Sequence, residues 1–316
     1  MLYRMCEMIK GGYKINKQEA IKLLNYKTDE LANCADNIRK YFLEKNFDTC
    51  SIVNGKSGKC SEDCKFCSQS AFHKTDIDIY PLLSQEQFLK DAKHHFEKRV
   101  KRYSIVTSGK KLNNIELENV CRSYNAIKNE VGIKVCASHG LLDKHELKQL
   151  KLSGVERYHN NLETSRNFFS KICTTHTYED KIKTIKAAQN IGLEVCSGGI
   201  IGLGESEIDR IDMAFELRDL NIKSIPINIL NYIEGTNIKL ERPITEDDVL
   251  KTVAIFRFIN PNSYIRLAGG RNLLTNYGEL AFQSGANATI TGDLLTTCGN
   301  NIDNDMKMIK SLGFDI

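Results

Sequence analysis

Arg102-Tyr103-Ser104-Ile105-Val106-Thr107 and, one helix length further on, Ile133-Lys134-Val135-Cys136-Ala137-Ser138 decide the fold. Both are short, β-rich and continuously apolar, the pattern of parallel strands covered on their outer face. Runs of the same kind recur at 51–54, 155–162, 193–201, 224–230, 264–268 and 288–292. Neighbouring runs are spaced by roughly 23 to 50 residues, which leaves room for a crossover helix each time. Helix-start signals fill those intervals. Ser84 with Gln87 and Thr177 with Asp180 read as capping boxes; Ile208, Ile211 and Phe215 line a third helix, and Thr245 precedes Val249, Val253 and Phe256. After Ser84 the expected apolar face is Leu89, Ala92 and Phe96. Eight βα units predict an α/β fold of the TIM type, a (β/α)8 barrel, with a doubly wound open sheet as the alternative. Pro226 cannot donate a ladder hydrogen bond, but it stands near the start of its run and the strand is kept.

Residues 1–48 read as an N-terminal helical extension of two helices. Asn16 with Glu19 caps the first, and the second begins near Thr28 with Leu31, Cys34, Ile38 and Phe42 on one stripe. The barrel then occupies 49–316. The 316 residues carry 44 Lys+Arg against 40 Asp+Glu, a net charge of +4, with 41% hydrophobic residues. That balance excludes a disordered or collagenous chain and offers nucleic acid no basic footprint. Residues 1–15 have no signal-peptide core, and no apolar run reaches the roughly 18 residues of a membrane span. A cytoplasmic, reducing location is expected, so the 11 cysteines read as core residues or metal ligands rather than disulfides.

Cys60-Ser61-Glu62-Asp63-Cys64-Lys65-Phe66-Cys67 is the strongest local signal. Its CxxxCxxC spacing supplies three thiolates after the first strand, on the face where barrel loops build active sites. A structural zinc site would want a fourth ligand from a second CxxC or a His pair; a four-iron, four-sulfur cluster held by three cysteines keeps one iron open. The cluster is the preferred reading and zinc the alternative.

Together with the presumed barrel, this loop resembles that of radical S-adenosylmethionine (SAM) enzymes. The stretch Asn54–Ser70, with Lys134-Val135-Cys136, Val195-Cys196-Ser197-Gly198-Gly199-Ile200-Ile201-Gly202-Leu203-Gly204-Glu205, Ile225-Pro226-Ile227-Asn228, Ile265-Arg266-Leu267-Ala268-Gly269-Gly270-Arg271, Gly285-Ala286-Asn287-Ala288 and Thr291-Gly292-Asp293-Leu294-Leu295-Thr296-Thr297, narrows the likeness to the biotin synthase family. That resemblance implies SAM bound through its amino and carboxylate groups on the open iron of a 4Fe-4S cluster held by Cys60, Cys64 and Cys67. It implies sulfur insertion into dethiobiotin at C9 and then C6, with the sulfur drawn from an auxiliary iron–sulfur cluster, 2Fe-2S or of another type. It also implies a flavodoxin or ferredoxin as electron donor, and a homodimer.

By the same resemblance Cys136, Cys196 and Arg266 would hold the auxiliary cluster. Ser104 stands where the family usually has a fourth ligand, a cysteine, and its hydroxyl is a poorer iron ligand; Cys173 is the thiolate offered in its place. Asn161 and Glu163 would bind the ribose of SAM, Lys181 its carboxylate, Phe66 would flank the cofactor, and Asn161 and Asn228 would contact substrate. His159-Asn160 transposes the usual order. The remaining readings are bland. The glycines of 198–204 fit close approach of SAM rather than a dinucleotide loop; His94 and His95 are read as a solvated pair; Cys6, Cys34, Cys50, Cys121 and Cys298 are read as structural. Two other functions stay open: a radical SAM enzyme of the same subfamily with another small substrate, and a non-catalytic cluster-binding module.

Overall fold

The computed structural model describes residues 2–239 and 242–316. Its core is a parallel sheet of β1 (Asp48–Lys56), β2 (Arg102–Thr107), β3 (Lys134–Ser138), β4 (Arg157–His159), β5 (Glu194–Cys196), β6 (Gly199–Ile201), β7 (Ser224–Ile229), β8 (Tyr264–Leu267) and β9 (Ala288–Ile290). The order is β5-β4-β3-β2-β1-β9-β8-β7-β6, and a further β5–β7 pairing closes the ring. β5 and β6 are two halves of one stave, interrupted at Ser197-Gly198, so the sheet is the expected eight-fold barrel. Pro226 explains the interruption. Its carbonyl points at Gly198, where an added Cβ would come within 1.9 Å of the oxygen. In a parallel strand the amide side of a residue is also its carbonyl side, so the donor that proline lacks falls opposite the break and costs no ladder bond. Gly199 has the same constraint against Glu163 O, at 2.4 Å. Neighbouring backbone alone therefore requires glycine at both positions, independently of any cofactor.

The helices start where their side chains allow. Asn16, Ser84, Asn113, Asp143, Thr177, Ser206 and Thr245 each accept a bond from the amide three residues on, and each of those residues bonds back. Two details depart from expectation. The N-terminal extension has three helices, Leu2–Lys10, Lys17–Leu23 and Thr28–Leu43. The first, beyond the two expected, buries Leu2, Cys6 and Ile9 on one stripe. Helix Gln85–Glu97 buries Phe88, Ala92 and His95, whereas Phe96 is exposed. His95 is thus not solvated; it lies 3.6 Å from Asp91 and packs on Tyr103.

One end of the barrel is closed by charge. Asp48 of β1 receives Arg266 Nη2 at 2.6 Å and Arg157 Nη1 at 3.0 Å, with Arg102 Nε at 3.5 Å. Arg157 also reaches Glu194 at 2.9 Å. Burial alone would raise the Asp48 carboxyl, but the three guanidinium groups outweigh it and hold it down to about 2. This floor carries three buried arginines on one buried carboxylate, so the field above it is positive. Among the described residues no helix is long and apolar enough to cross a membrane.

Candidate active site

The loop after β1 folds back on itself. Cys60 N–H donates to Gln69 O and Ala71 N–H to Cys60 O, while Cys67 N–H donates to Cys64 O. Gly58, in the left-handed region at φ 76°, starts the reversal, and its amide donates to Gln69 Oε1. Cys60, Cys64 and Cys67 are all partly buried and free. Burial pushes the Cys67 thiol up to about 11. Three soft donors on one short, internally bonded loop suit an iron–sulfur cluster with one open iron.

Beside this loop the barrel mouth opens into a cavity of about 380 Å³. Phe66, Cys67, Asn161 and Glu163 line its outer part; Cys50, Ser104, Cys136, His159, Cys196 and Arg266 line it further in. Alternation sets this layering. Asp48, Cys50 and Ile52 share the inward face of β1, one face every second residue. Ser104 pairs with Cys136 and His159 with Cys196 in register. Buried thiols normally rise, yet two of these fall. Cys136 is lowered first by the facing Cys50 thiol, then, against burial, by Arg157 and Arg102. Cys196 is held down to about 6 because His159, Arg266 and Arg157 outweigh its burial. Cys50 itself is raised by Cys136 and by burial. A thiolate-stabilising pocket with three sulfurs is chemically suited to a second cluster.

Glu163 adopts a left-handed φ of 71°, in which its carbonyl accepts from Ile200 N–H at 2.8 Å. Such a conformation in a non-glycine residue is a sign of a constrained functional turn. Asn161 Nδ2 donates to Glu163 Oε2 at 3.3 Å, and Lys181 Nζ stands 3.9 Å from Glu163 Oε1. Asn228 donates to Gly199 O and accepts from Gly269 N–H, so it clamps two neighbouring strand ends while facing the cavity.

A family model for the radical SAM superfamily matches residues 56–217, and one described as the Biotin and Thiamin Synthesis associated domain matches 226–315. Biotin synthase of Clostridium perfringens (strain 13 / Type A) is 55% identical over 303 residues, covering 96% of this chain and 95% of that protein. Biotin synthase of Brachyspira hyodysenteriae is 53% identical over 310 residues, covering 98% and 93%. The chain belongs to the biotin synthase family. Like that family's other members it is a radical SAM enzyme, with a 4Fe-4S cluster and SAM as its cofactors. Solved structures agree on the fold. Methylornithine synthase superposes with a TM-score of 0.84 at 16% identity, covering 98% of this chain and 96% of that one. HydG, the [FeFe]-hydrogenase maturase of Carboxydothermus hydrogenoformans, also gives 0.84, at 15% identity, covering 99% and 78%.

Set against the biotin synthase pattern, Phe66, Cys67, Ser104, Cys136, Asn161, Glu163, Cys196, Asn228 and Arg266 line the cavity, whereas Cys60, Cys64, Cys173 and Lys181 do not. Cys173 is not among the cavity-lining residues; it lies beside the loop, its Sγ 3.7 Å from Cys64 Sγ and 3.3 Å from Asp63 Oδ1. It is therefore not the thiol that faces Cys136 and Cys196. That thiol is Cys50, read from sequence as structural because its strand was started at Ser51, whereas β1 begins at Asp48. An earlier start would have put Cys50 two residues before Ile52, on the same face. Arg266 is pinned where it lines the cavity. Its Nη1 donates to Asp48 O and Thr289 O and its Nη2 to the Asp48 carboxylate. These contacts hold the guanidinium in place at the cavity wall beside Cys196 and Cys136. His159 faces the cavity, and Asn160 turns away to donate to Gly140 O.

Proposed function

We propose that this chain forms biotin from dethiobiotin, in the cytoplasm, by SAM-dependent radical chemistry at the mouth of the barrel and sulfur transfer deeper in the same cavity. The observation that carries this reading is that both thiol sets open onto one cavity: Cys67 at its mouth and Cys50, Cys136 and Cys196 further in. When bound, the clusters would supply the electron that cleaves SAM and the sulfur that enters the substrate.

The chain's own residues supply ligation, orientation and exclusion of water. Cys60, Cys64 and Cys67 hold the first cluster. Asn161 and Glu163 take the ribose hydroxyls of SAM, as an amide and a carboxylate can. Lys181 brings positive charge toward its carboxylate, without the fork of an arginine. Phe66 walls the cofactor from solvent. Asn228, fixed by two backbone bonds, presents a rigid polar edge to the substrate's ureido ring. The auxiliary cluster rests on Cys50, Cys136 and Cys196, with Arg266 as a pinned counter-charge and Ser104 as a neighbour rather than the principal ligand. A flavodoxin or ferredoxin delivers the electron, and the enzyme works as a homodimer; the resemblance to the family supports both.

The test is anaerobic reconstitution. Dithionite-reduced enzyme given SAM and dethiobiotin is expected to release 5′-deoxyadenosine and biotin. Deoxyadenosine without biotin would overturn the substrate assignment, and no cleavage of SAM would overturn the radical mechanism.

A further inference from the structure

Cys173 belongs neither to the CxxxCxxC motif nor to the ring of strand cysteines, yet it is buried among metal-binding side chains. Its Sγ lies 3.7 Å from Cys64 Sγ, 3.3 Å from His176 Nδ1 and 3.8 Å from His176 Nε2. One donor atom from each of the three residues lies within 4.8 Å of the others. Two thiolates at about 2.3 Å from one tetrahedral ion stand about 3.8 Å apart, and a thiolate and an imidazole nitrogen about 3.5 Å. The thiol–thiol spacing is that of two ligands on a single ion, and Nε2, the ring nitrogen not taken by Glu62, stands 3.8 Å from Cys173 Sγ, a small ring adjustment from ligand spacing.

We propose that Cys64, Cys173 and His176 form a Cys2His site for one zinc-class divalent cation, Zn2+ or Fe2+, in the chain before its first cluster is in place. The surroundings are built for it. Glu62, itself 6% exposed, sits 2.6 Å from His176 Nδ1. That contact fixes the ring and leaves Nε2 for the metal, the carboxylate–histidine–metal arrangement that orients ligands in metal sites. Thr175 Oγ1 donates to the same Glu62 oxygen at 2.9 Å. Asp63 accepts from the amides of Thr174 and Thr175 at 2.8 and 3.2 Å, which ties segment 173–176 to the cluster loop. The ligand positions are therefore set by the fold rather than gathered by the ion. Cys64 serves both sites, so a thiolate committed to the single cation is withheld from the three-cysteine cluster. The inference goes beyond the proposed function and shares with it only Cys64.

The experiment uses the full-length chain, stripped of iron and sulfide under anaerobic conditions, and titrated with Co2+ as a spectroscopic probe followed by Zn2+ as competitor. One equivalent of Co2+ is expected to give thiolate-to-cobalt charge transfer and tetrahedral ligand-field bands, both erased by Zn2+. Cys173→Ala and His176→Ala should each lose stoichiometric binding. Glu62→Gln should weaken it about 10- to 100-fold. Cys60→Ala and Cys67→Ala should leave it as it is. The reverse pattern, with binding lost in Cys60→Ala or Cys67→Ala and kept in Cys173→Ala, would put the ion on the loop alone and overturn the proposal. Failure of the unmodified chain to take up the probe would overturn it as well. Circular dichroism of every variant separates loss of ligand from loss of fold, and Cys173→Ser preserves the side-chain volume as a second variant.

Discussion

The loop site and the inner ring of the barrel use the same element, the cysteine thiol, in opposite ways. Cys60, Cys64 and Cys67 lie within eight residues on a loop that bonds to itself, so their grouping is local. Cys50, Cys136 and Cys196 come from β1, β3 and β5 and meet only because the sheet closes. The loop thiols are partly exposed, and among them burial raises Cys67. The inner thiols are buried, yet Cys136 and Cys196 fall because a floor of arginines lies under them. A loop can be assembled by spacing; an interior site needs strand register and a charge field.

Predictions that break or sharpen this contrast begin with the largest effect. Cys64→Ala should abolish SAM cleavage, measured as 5′-deoxyadenosine, while leaving iron at the inner ring; retained cleavage would end the loop assignment. Cys50→Ala should remove most of the auxiliary iron and sulfide, seen in Mössbauer spectra, and stop biotin formation while uncoupled SAM cleavage continues. If Cys50→Ala keeps that iron and Ser104→Ala loses it, the ring has been drawn one strand too far round. Asp48→Asn leaves buried arginines unpaired and should cost about 3–5 kcal/mol in denaturant unfolding. The pH dependence follows from the same residue. Its folded pKa of about 2 lies below the ordinary carboxylate value of about 3.9, so its contribution is complete above about pH 4 and is lost as the pH falls through 2. The Asn variant should lack that component of acid destabilisation. At the small end, Cys298→Ser, at an exposed thiol outside both sets, should change stability by less than about 0.5 kcal/mol and leave both iron signals intact.

The contrast also explains what could be read from the sequence. The barrel was legible because each stave is a continuous β-rich run and most helices begin at a capping box, both local signals. The loop site was legible for the same reason. Cys50 was not, because its visibility depends on where β1 begins, a boundary that local pattern fixes only within a few residues. The stave formed by β5 and β6 was seen as one strand, and its interruption follows from Pro226 on the neighbouring stave, which no local reading of residues 193–201 contains. His95 looked solvated beside its lysines because the helix face is set by what it packs on, here Tyr103. Cys173 is expected from sequence beside the strand cysteines, but its neighbour in space is Cys64, more than a hundred residues away in the chain, a proximity no local pattern contains.

The arginine floor has one more consequence. With Asp48, Arg102 and Arg157 joined at one end of the barrel, the cavity has buried positive charge behind it and Phe66 and Cys67 of the cluster loop among its lining residues. A substrate bound between the two would have the cluster loop on one side and a fixed field of guanidinium charge on the other, so its polarity would be read from both ends at once.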